Sequence, residues 1–149
     1  FKSTIMNSIK KTALFLIVIL AGMISCKKSS TNPIIPSNPI STIVQQGSWR
    51  ITLYNDNGTD ETSNFTGYSF KFNSNGTITA TKGGSTVNGT WSKGTDDSQP
   101  KLYLNFGATN PFDSLTSDWR ITSQNTSKIV LIDVSGGGGG TDYLTFEKI

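Results

Sequence analysis

The chain has 149 residues, a formal charge of +3 and 15% charged residues; it has no histidine, and its single cysteine is Cys26. Without histidine, and without cysteine beyond residue 26, imidazole acid–base catalysis, cysteine nucleophiles, Ser-His pairs, disulfides and His/Cys metal sites are excluded. The charge divides unevenly: residues 47–149 carry eight Lys/Arg against ten Asp/Glu, so that segment stands at −2 and the basic surplus lies before it, which argues against a nucleic-acid surface.

Lys10 and Lys11 precede a run of twelve residues, Ala13 to Ile24, that is apolar apart from Gly22. A membrane-spanning helix needs about 20 apolar residues, so the run reads as a secretory signal, with Phe1 to Ile5 ahead of the first methionine. It ends in Met23-Ile24-Ser25-Cys26, which resembles the lipobox of bacterial lipoproteins. That resemblance implies cleavage before Cys26 and a diacylglyceryl group on its thiol. Residues 1–25 are thus expected to be a signal peptide and residues 26–46 a lipidated, Pro/Ser-rich linker. Pro33, Pro36 and Pro39 favour extended chain through that linker, which would hold the body clear of the lipid headgroups.

From residue 47 the chain shows short alternating runs between turn signals and no sustained helical period, which predicts an all-β body over 47–149. Trp49, Ile51 and Leu53 share one face of the first run, and Tyr68, Phe70 and Phe72 one face of the second. Asn75-Gly76 suits a tight hairpin into Ile78 and Ala80. Val87, Gly89 and Trp91 follow, with Gly89 marking a bulge or a close backbone approach. Then come Leu102, Leu104 and Phe106, next Leu115, Trp119 and Ile121, then Ile129–Ile132, and last Leu144 with Phe146. The residues Ile129–Ile132 are apolar on both faces, which predicts cover from outside, by the spacer or by a partner. Short connections make the eight strands antiparallel neighbours, and closure into an up-and-down barrel would remove the sheet edges.

Several motifs carry less than they suggest. The run Gly136 to Gly140 has no following Lys-Ser/Thr pair and reads as a hairpin tip. Asn55 to Glu61 gathers oxygen ligands around Gly58 but lacks the terminal acidic residue of a calcium loop. The Asn-x-Ser/Thr sites at Asn57, Asn64, Asn75, Asn88 and Asn125 read as turn chemistry. Asp113-Ser114-Leu115 resembles a short O-glycosylation motif of Bacteroidota. Trp-Arg-Ile-Thr occurs at 49–52 and at 119–122, on strands one and six, where a duplicated half-barrel would pair one with five; strand patterning accounts for it.

Gly47-Ser48-Trp49, Gly89-Thr90-Trp91, the Phe-x-x-x-Gly-Thr of Phe72 to Thr77 and the closing Leu144-x-Phe146-x-Lys148 resemble the lipocalin-like lipoproteins of Bacteroidota. The resemblance implies a small eight-stranded barrel behind a lipid anchor in the cell envelope; Lys27-Lys28 after Cys26, without the acidic residues associated with surface export in Bacteroidota lipoproteins, point to the outer membrane's periplasmic side. True lipocalins place an Arg over the first-strand Trp; no Arg follows Arg120 here, and Lys148 is the residue expected over Trp49. The function expected is non-catalytic, with no cofactor and no metal: binding of a small hydrophobic ligand or envelope component, with Phe70, Trp91 and Trp119 as candidate contacts. The alternative is a protein-interaction module, such as a periplasmic protease or glycosidase inhibitor. A continuous apolar pocket would favour the first, and a packed interior with exposed loop aromatics such as Phe65 or Phe112 the second.

Overall fold

The computed structural model describes residues 39–135 and 139–149, so Cys26 and the signal segment lie outside the described residues. Nine antiparallel strands run in chain order: β1 Trp49–Asp56, β2 Thr59–Asp60, β3 Ser69–Phe72, β4 Thr77–Lys82, β5 Ser85–Asp96, β6 Gln99–Asn105, β7 Ser117–Gln124, β8 Lys128–Val134 and β9 Thr141–Lys148. Every strand from β3 onward pairs with its successor, and β9 returns to pair with β1 along Trp49↔Lys148 to Asn55↔Tyr143. The result is a closed eight-stranded antiparallel barrel. The ninth strand, β2, is a two-residue hairpin arm folded onto β1 as Asn55↔Asp60 and Asp56↔Thr59. Its tip is Asn57-Gly58, both at positive φ (47° and 91°), the backbone that a two-residue hairpin loop demands.

Alternation decides what faces inward. Trp49, Ile51 and Tyr54 on β1, Phe70 and Phe72 on β3, Leu102 and Leu104 on β6, Trp119 and Ile121 on β7, Ile129 and Leu131 on β8, and Leu144 and Phe146 on β9 form one buried cluster. Period two holds except where β1 and β7 each take an extra residue, between Ile51 and Leu53 and between Ile121 and Ser123. These bulges fall at the same place in the repeated Trp-Arg-Ile-Thr, so the repeat has a shared geometry as well as a shared pattern.

The linker does not run extended to Gln46. Ile40–Val44 forms one helical turn, α1, whose Ile40, Ile43 and Val44 are buried in the barrel cluster. Pro39 starts it: its carbonyl accepts from the N–H groups of Thr42 and Ile43 at 2.9 and 3.3 Å, and a proline before the first turn loses no helical hydrogen bond. Three apolar side chains at spacing i, i+3, i+4 then share one face. Among the described residues the buried cluster thus already takes in Ile40, Ile43 and Val44, ahead of residue 47.

Gly89 lies within an unbroken register, Ile78↔Gly89 on one side and Thr90↔Asn105 on the other, so close approach rather than a bulge explains it. A Cβ there would lie 2.6 Å from the Asn105 carbonyl oxygen and 2.7 Å from Phe106 Cδ1. Backbone cannot yield as a side-chain end can. Gly89→Ala is expected to destabilise the barrel by about 1–3 kcal/mol, read as a lower midpoint in urea unfolding at unchanged slope. Gly58→Ala, with open space at its Cβ but φ of 91°, is the control for backbone strain alone.

Candidate functional site

The interior was the first candidate site, and it is filled by aromatic rings in sequence. Trp119 meets Tyr54, Tyr54 meets Phe65, Phe65 meets Phe112, and Phe112 meets Phe70, at centroid separations of 6.4, 5.4, 5.6 and 6.2 Å. Phe70 then meets Phe146, Phe146 meets Phe72, and Phe72 meets Trp91, at 5.4, 5.7 and 5.6 Å. Most of these contacts are edge-to-face, which matches ring edge to ring face electrostatically and adds roughly 0.5–1.5 kcal/mol per pair beyond burial. The candidate residues Phe70, Trp91 and Trp119 are thus joined through other rings rather than gathered around a space. Phe70 is 0% exposed, Trp119 1% and Trp91 8%.

Each tryptophan N–H is already spent on the backbone of a connecting segment. Trp49 Nε1 donates to the Val44 carbonyl of α1 at 2.8 Å, Trp91 Nε1 to the Asn73 carbonyl of the β3–β4 turn at 2.9 Å, and Trp119 Nε1 to the Leu115 carbonyl at 2.9 Å. Leu115 ends a 3₁₀ turn, Phe112–Leu115, in the β6–β7 connection. The indoles therefore tie loops to the barrel. Lys148 is the cross-strand neighbour of Trp49, but it is α1 that takes up the indole N–H.

Both barrel ends and the seam beside β1 are closed. α1 covers the end where β1 begins, and the Phe112–Leu115 turn covers the other. Beside β1 the sheet is thin, because its only registered pair with β3 is Trp49↔Phe70. A second 3₁₀ turn, Thr62–Phe65, fills that seam: Thr62 Oγ1 accepts from Tyr54 N–H at 2.8 Å, and Phe65 is 1% exposed. The two loop aromatics proposed as exposed contacts, Phe65 and Phe112, are therefore core residues at 1% exposure each. Their connecting loops fold inward because the seam and the barrel end would otherwise leave ring faces in water.

Two of the hollows on the described surface are open and largely polar, while a third, beside β1, is lined by Ile51, Phe65, Tyr68 and Ile149 among polar residues. One of about 610 Å³, over the Phe112–Leu115 turn, is lined by Glu61, Asn64, Asn110, Pro111, Asp113 and Ser114. There Ser114 Oγ donates to the Pro111 carbonyl at 2.7 Å. Another, of about 380 Å³, lies on the outer wall where β6 leaves β7 beyond Lys101↔Arg120; Asp96, Asp97 and Gln99 overhang Arg120, Ile132 and Val134. Among the described residues, no group of three acidic, His or Cys side chains is placed to hold a metal. The residues that loosely suggested a calcium loop shape the turn instead: Asn55 Oδ1 accepts from Gly58 N–H, and Asp60 Oδ1 accepts from Thr62 N–H, at 2.9 Å each. The Thr62 hydroxyl first, and its N–H second, hold the Asp60 carboxyl below the usual aspartate range. Asn75 and Asn125 likewise cap their hairpin turns. Of the glycine run, Gly136–Gly138 lie outside the described residues.

The outer wall of β8, β9 and β1 holds what sequence reading placed only in outline. Val130, Ile132 and Val134 point outward from β8 beside Thr145 and Tyr143 of β9, and Leu53 of β1 faces Thr145 from the other side. Val134 is 59% exposed, Tyr143 44% and Leu53 38%. Thr145, although outward, is buried between Leu53 and Val130. The apolar second face of Ile129–Ile132 was the signal; the alternation puts Leu53 inside with Trp49 and Ile51, but the extra residue between Ile51 and Leu53 turns it outward, and Tyr143 gave no signal, being a single residue in polar surroundings.

The molecule defined by these features is a small, closed, antiparallel barrel with a ring-packed centre and an apolar strip on its outside. No family model matches the chain, nor does any curated protein. A crystal structure of a DUF4847 family protein from Bacteroides vulgatus ATCC 8482 is similar, with a TM-score of 0.52 at 17% identity, over 74% of this chain and 98% of that one. At that identity the likeness concerns the fold alone.

Tyr54 links the core to the lid. Its hydroxyl donates to the Ser114 carbonyl at 3.0 Å. Burial pushes its phenol above the ordinary tyrosine value, and Asp56, Asp142 and Glu61 add to the shift. A raised folded-state value means that the unfolded chain loses its proton first; the Tyr54 contribution is full below the ordinary value of about 10 and is lost as pH rises through the folded one. Tyr54→Phe is expected to cost about 0.5–1.5 kcal/mol at neutral pH and to lessen the fall in stability above pH ~10, measured by urea unfolding against pH.

Proposed function

We propose that this chain is a non-catalytic protein-interaction barrel of the bacterial envelope, held to a membrane by lipid on Cys26, in which the interior is structural and the outer wall makes the contact. The observation that carries this reading is the fate of the three indole N–H groups. A ligand-binding interior needs side chains free to meet a guest, and Trp49, Trp91 and Trp119 are committed to loop carbonyls. The lidded ends support it further, and so does an apolar strip where a soluble wall would be polar. The lipocalin-like motifs and the lipobox support the envelope setting; the fold likeness to a Bacteroides protein is compatible with it.

The other expected reading, a small hydrophobic guest in the barrel, gives a direct test. Native mass spectrometry of the full chain, released gently from detergent, is expected to show the mass of the protein with its acyl chains and no further adduct. A stoichiometric small molecule that leaves on collisional activation would overturn the interaction reading in favour of ligand binding. The anchor is tested separately: Cys26→Ser is expected to move the chain from the membrane pellet to the soluble fraction, since durable attachment needs more than one acyl chain. An unchanged pellet fraction would refute lipidation at this cysteine.

A further inference from the structure

Resting on the anchored, non-catalytic reading above, we infer that the α1 end of the barrel is a docking surface for anionic lipid headgroups, so that the body stands on the membrane by that end. The distribution of charge along the barrel carries the inference. The net charge of −2 over residues 47–149 conceals two unlike rims. Antiparallel neighbours alternate in direction, so β1 and β8 start at the α1 end while β3 and β9 finish there. These four strands stand side by side, in the order β3, β1, β9, β8.

Each of the four brings a basic side chain to that rim. Lys148 is the cross-strand neighbour of Trp49, Lys128 is that of Glu147, and Arg50 follows Trp49 along β1. On the other side of β1, Trp49↔Phe70 puts Lys71 level with Ser48. Glu147 is the one acidic residue among them, and Arg50 and Lys128 share it at 3.7 and 3.2 Å. All five lie within two residues of the end of their strands, so the curvature and tilt of the barrel keep them on one rim. The ammonium groups of Lys71 and Lys148 have neither an ion pair nor a hydrogen bond among the described residues. Lys148 lies across the junction of α1 with β1, where a Cβ on Gly47 would be 3.0 Å from its Cε.

The opposite rim is acidic. Asp56 ends β1, and Asp60 and Glu61 follow its hairpin tip. Asp142, the second residue of β9, holds that tip by accepting from Asn57 N–H at 2.8 Å. Asp113 lies in the Phe112–Leu115 turn over the same end, on one hollow with Glu61. Lys82, at the end of β4, is the single basic residue there among the described residues. Of the remaining charges, all but Lys93 gather in the hollow on the barrel's flank, where Lys101 and Arg120 lie among Asp96, Asp97, Asp118 and Asp133.

An anionic lipid surface draws each nearby Lys or Arg by about fivefold in binding constant, an effect that fades within a Debye length of roughly 8–10 Å. The surplus of basic residues at the α1 rim therefore favours contact there by on the order of a hundredfold, while like charge holds the far rim off. Tether length alone does not choose between the rims, since residues 26–38 can reach on the order of 40 Å when extended. Charge chooses, and Pro39, where the described chain enters α1, lies at the rim it chooses. β8 runs away from that rim, so the strip from Val130 to Val134 is lifted off the headgroups and left open to a protein partner.

Fluorescence of the acylated full chain in vesicles of phosphatidylethanolamine, with or without phosphatidylglycerol, tests this. With Cys26 acylated, one introduced thiol takes the label: Thr126→Cys in the β7–β8 turn marks the α1 rim, and Ser85→Cys at the β4–β5 hairpin marks the far one; both sites are exposed. Quenching by a nitroxide on the lipid headgroup is expected to rise about twofold or more at Thr126→Cys when phosphatidylglycerol is present, and not at Ser85→Cys. The rise should vanish in ~0.5 M NaCl, and also when Lys71→Glu, Lys128→Glu and Lys148→Glu are combined. The salt arm alters no residue of the rim, so a folding defect in the triple variant does not decide the result. A chain that fails to float with vesicles lacking phosphatidylglycerol overturns the anchor at Cys26 and this inference with it. If the chain floats with both lipids, equal quenching at Thr126→Cys, a larger rise at Ser85→Cys or a rise that survives salt overturns this inference alone and leaves the anchor standing.

Discussion

A tryptophan buried in a barrel brings one N–H that must find an acceptor, and the strands around it have already paired their carbonyls with each other. In this chain the acceptors come from the connections: α1, the β3–β4 turn and the Phe112–Leu115 turn each give one carbonyl to one indole. Leaving such a donor unpaired in the core would cost about 1–3 kcal/mol. The same three bonds therefore fix where the loops lie. Loops tied inward close over the ends, and the rings beneath them pack against each other.

Two of these ties are built the same way. A helical turn ends, its carbonyl takes an indole N–H four or five residues on, and the strand that carries the tryptophan bulges two residues later. Trp-Arg-Ile-Thr is written twice because this arrangement is built twice, at opposite ends of the barrel. The arginine of each copy, Arg50 and Arg120, falls on the outer wall by alternation. Arg50 lies beside Glu147 at 3.7 Å, whereas Arg120 has no partner of its own chain among the described residues. The local device is shared; the surroundings differ.

Period two was enough to place the eight barrel strands from sequence, because each has two apolar residues on one face, in β4 only Ile78 and the small Ala80, and a turn signal at its end. The same rule could not place β2, whose two residues are too few for a pattern, nor α1, whose five residues lie beyond a proline series that reads as extended chain. Phe65 and Phe112 were legible as loop aromatics but not as core. Loops normally stay on the surface, and only the thin β1–β3 seam and the open barrel end, both properties of the closed sheet, draw them inward. The candidate residues Phe70, Trp91 and Trp119 were correctly placed inside. What sequence could not show is that seven successive ring contacts join them, since those contacts run between strands far apart in the chain.

The outer wall is where packing duty ends in so small a barrel. Roughly 110 residues must offset a backbone entropy cost of about 1–2 kcal/mol each, so the enclosed volume goes to side chains rather than to a cavity. On the outside, strand alternation leaves every second residue free of packing duty. Polar residues there need no explanation; Val130, Ile132, Val134, Leu53 and Tyr143 do, because each gives up solvation without entering the core. Their cross-strand continuity makes them one surface rather than five exceptions. Thr145, outward yet buried between Leu53 and Val130, shows that the side chains already lean together before any partner arrives. A strip packed in this way has little side-chain freedom left to lose.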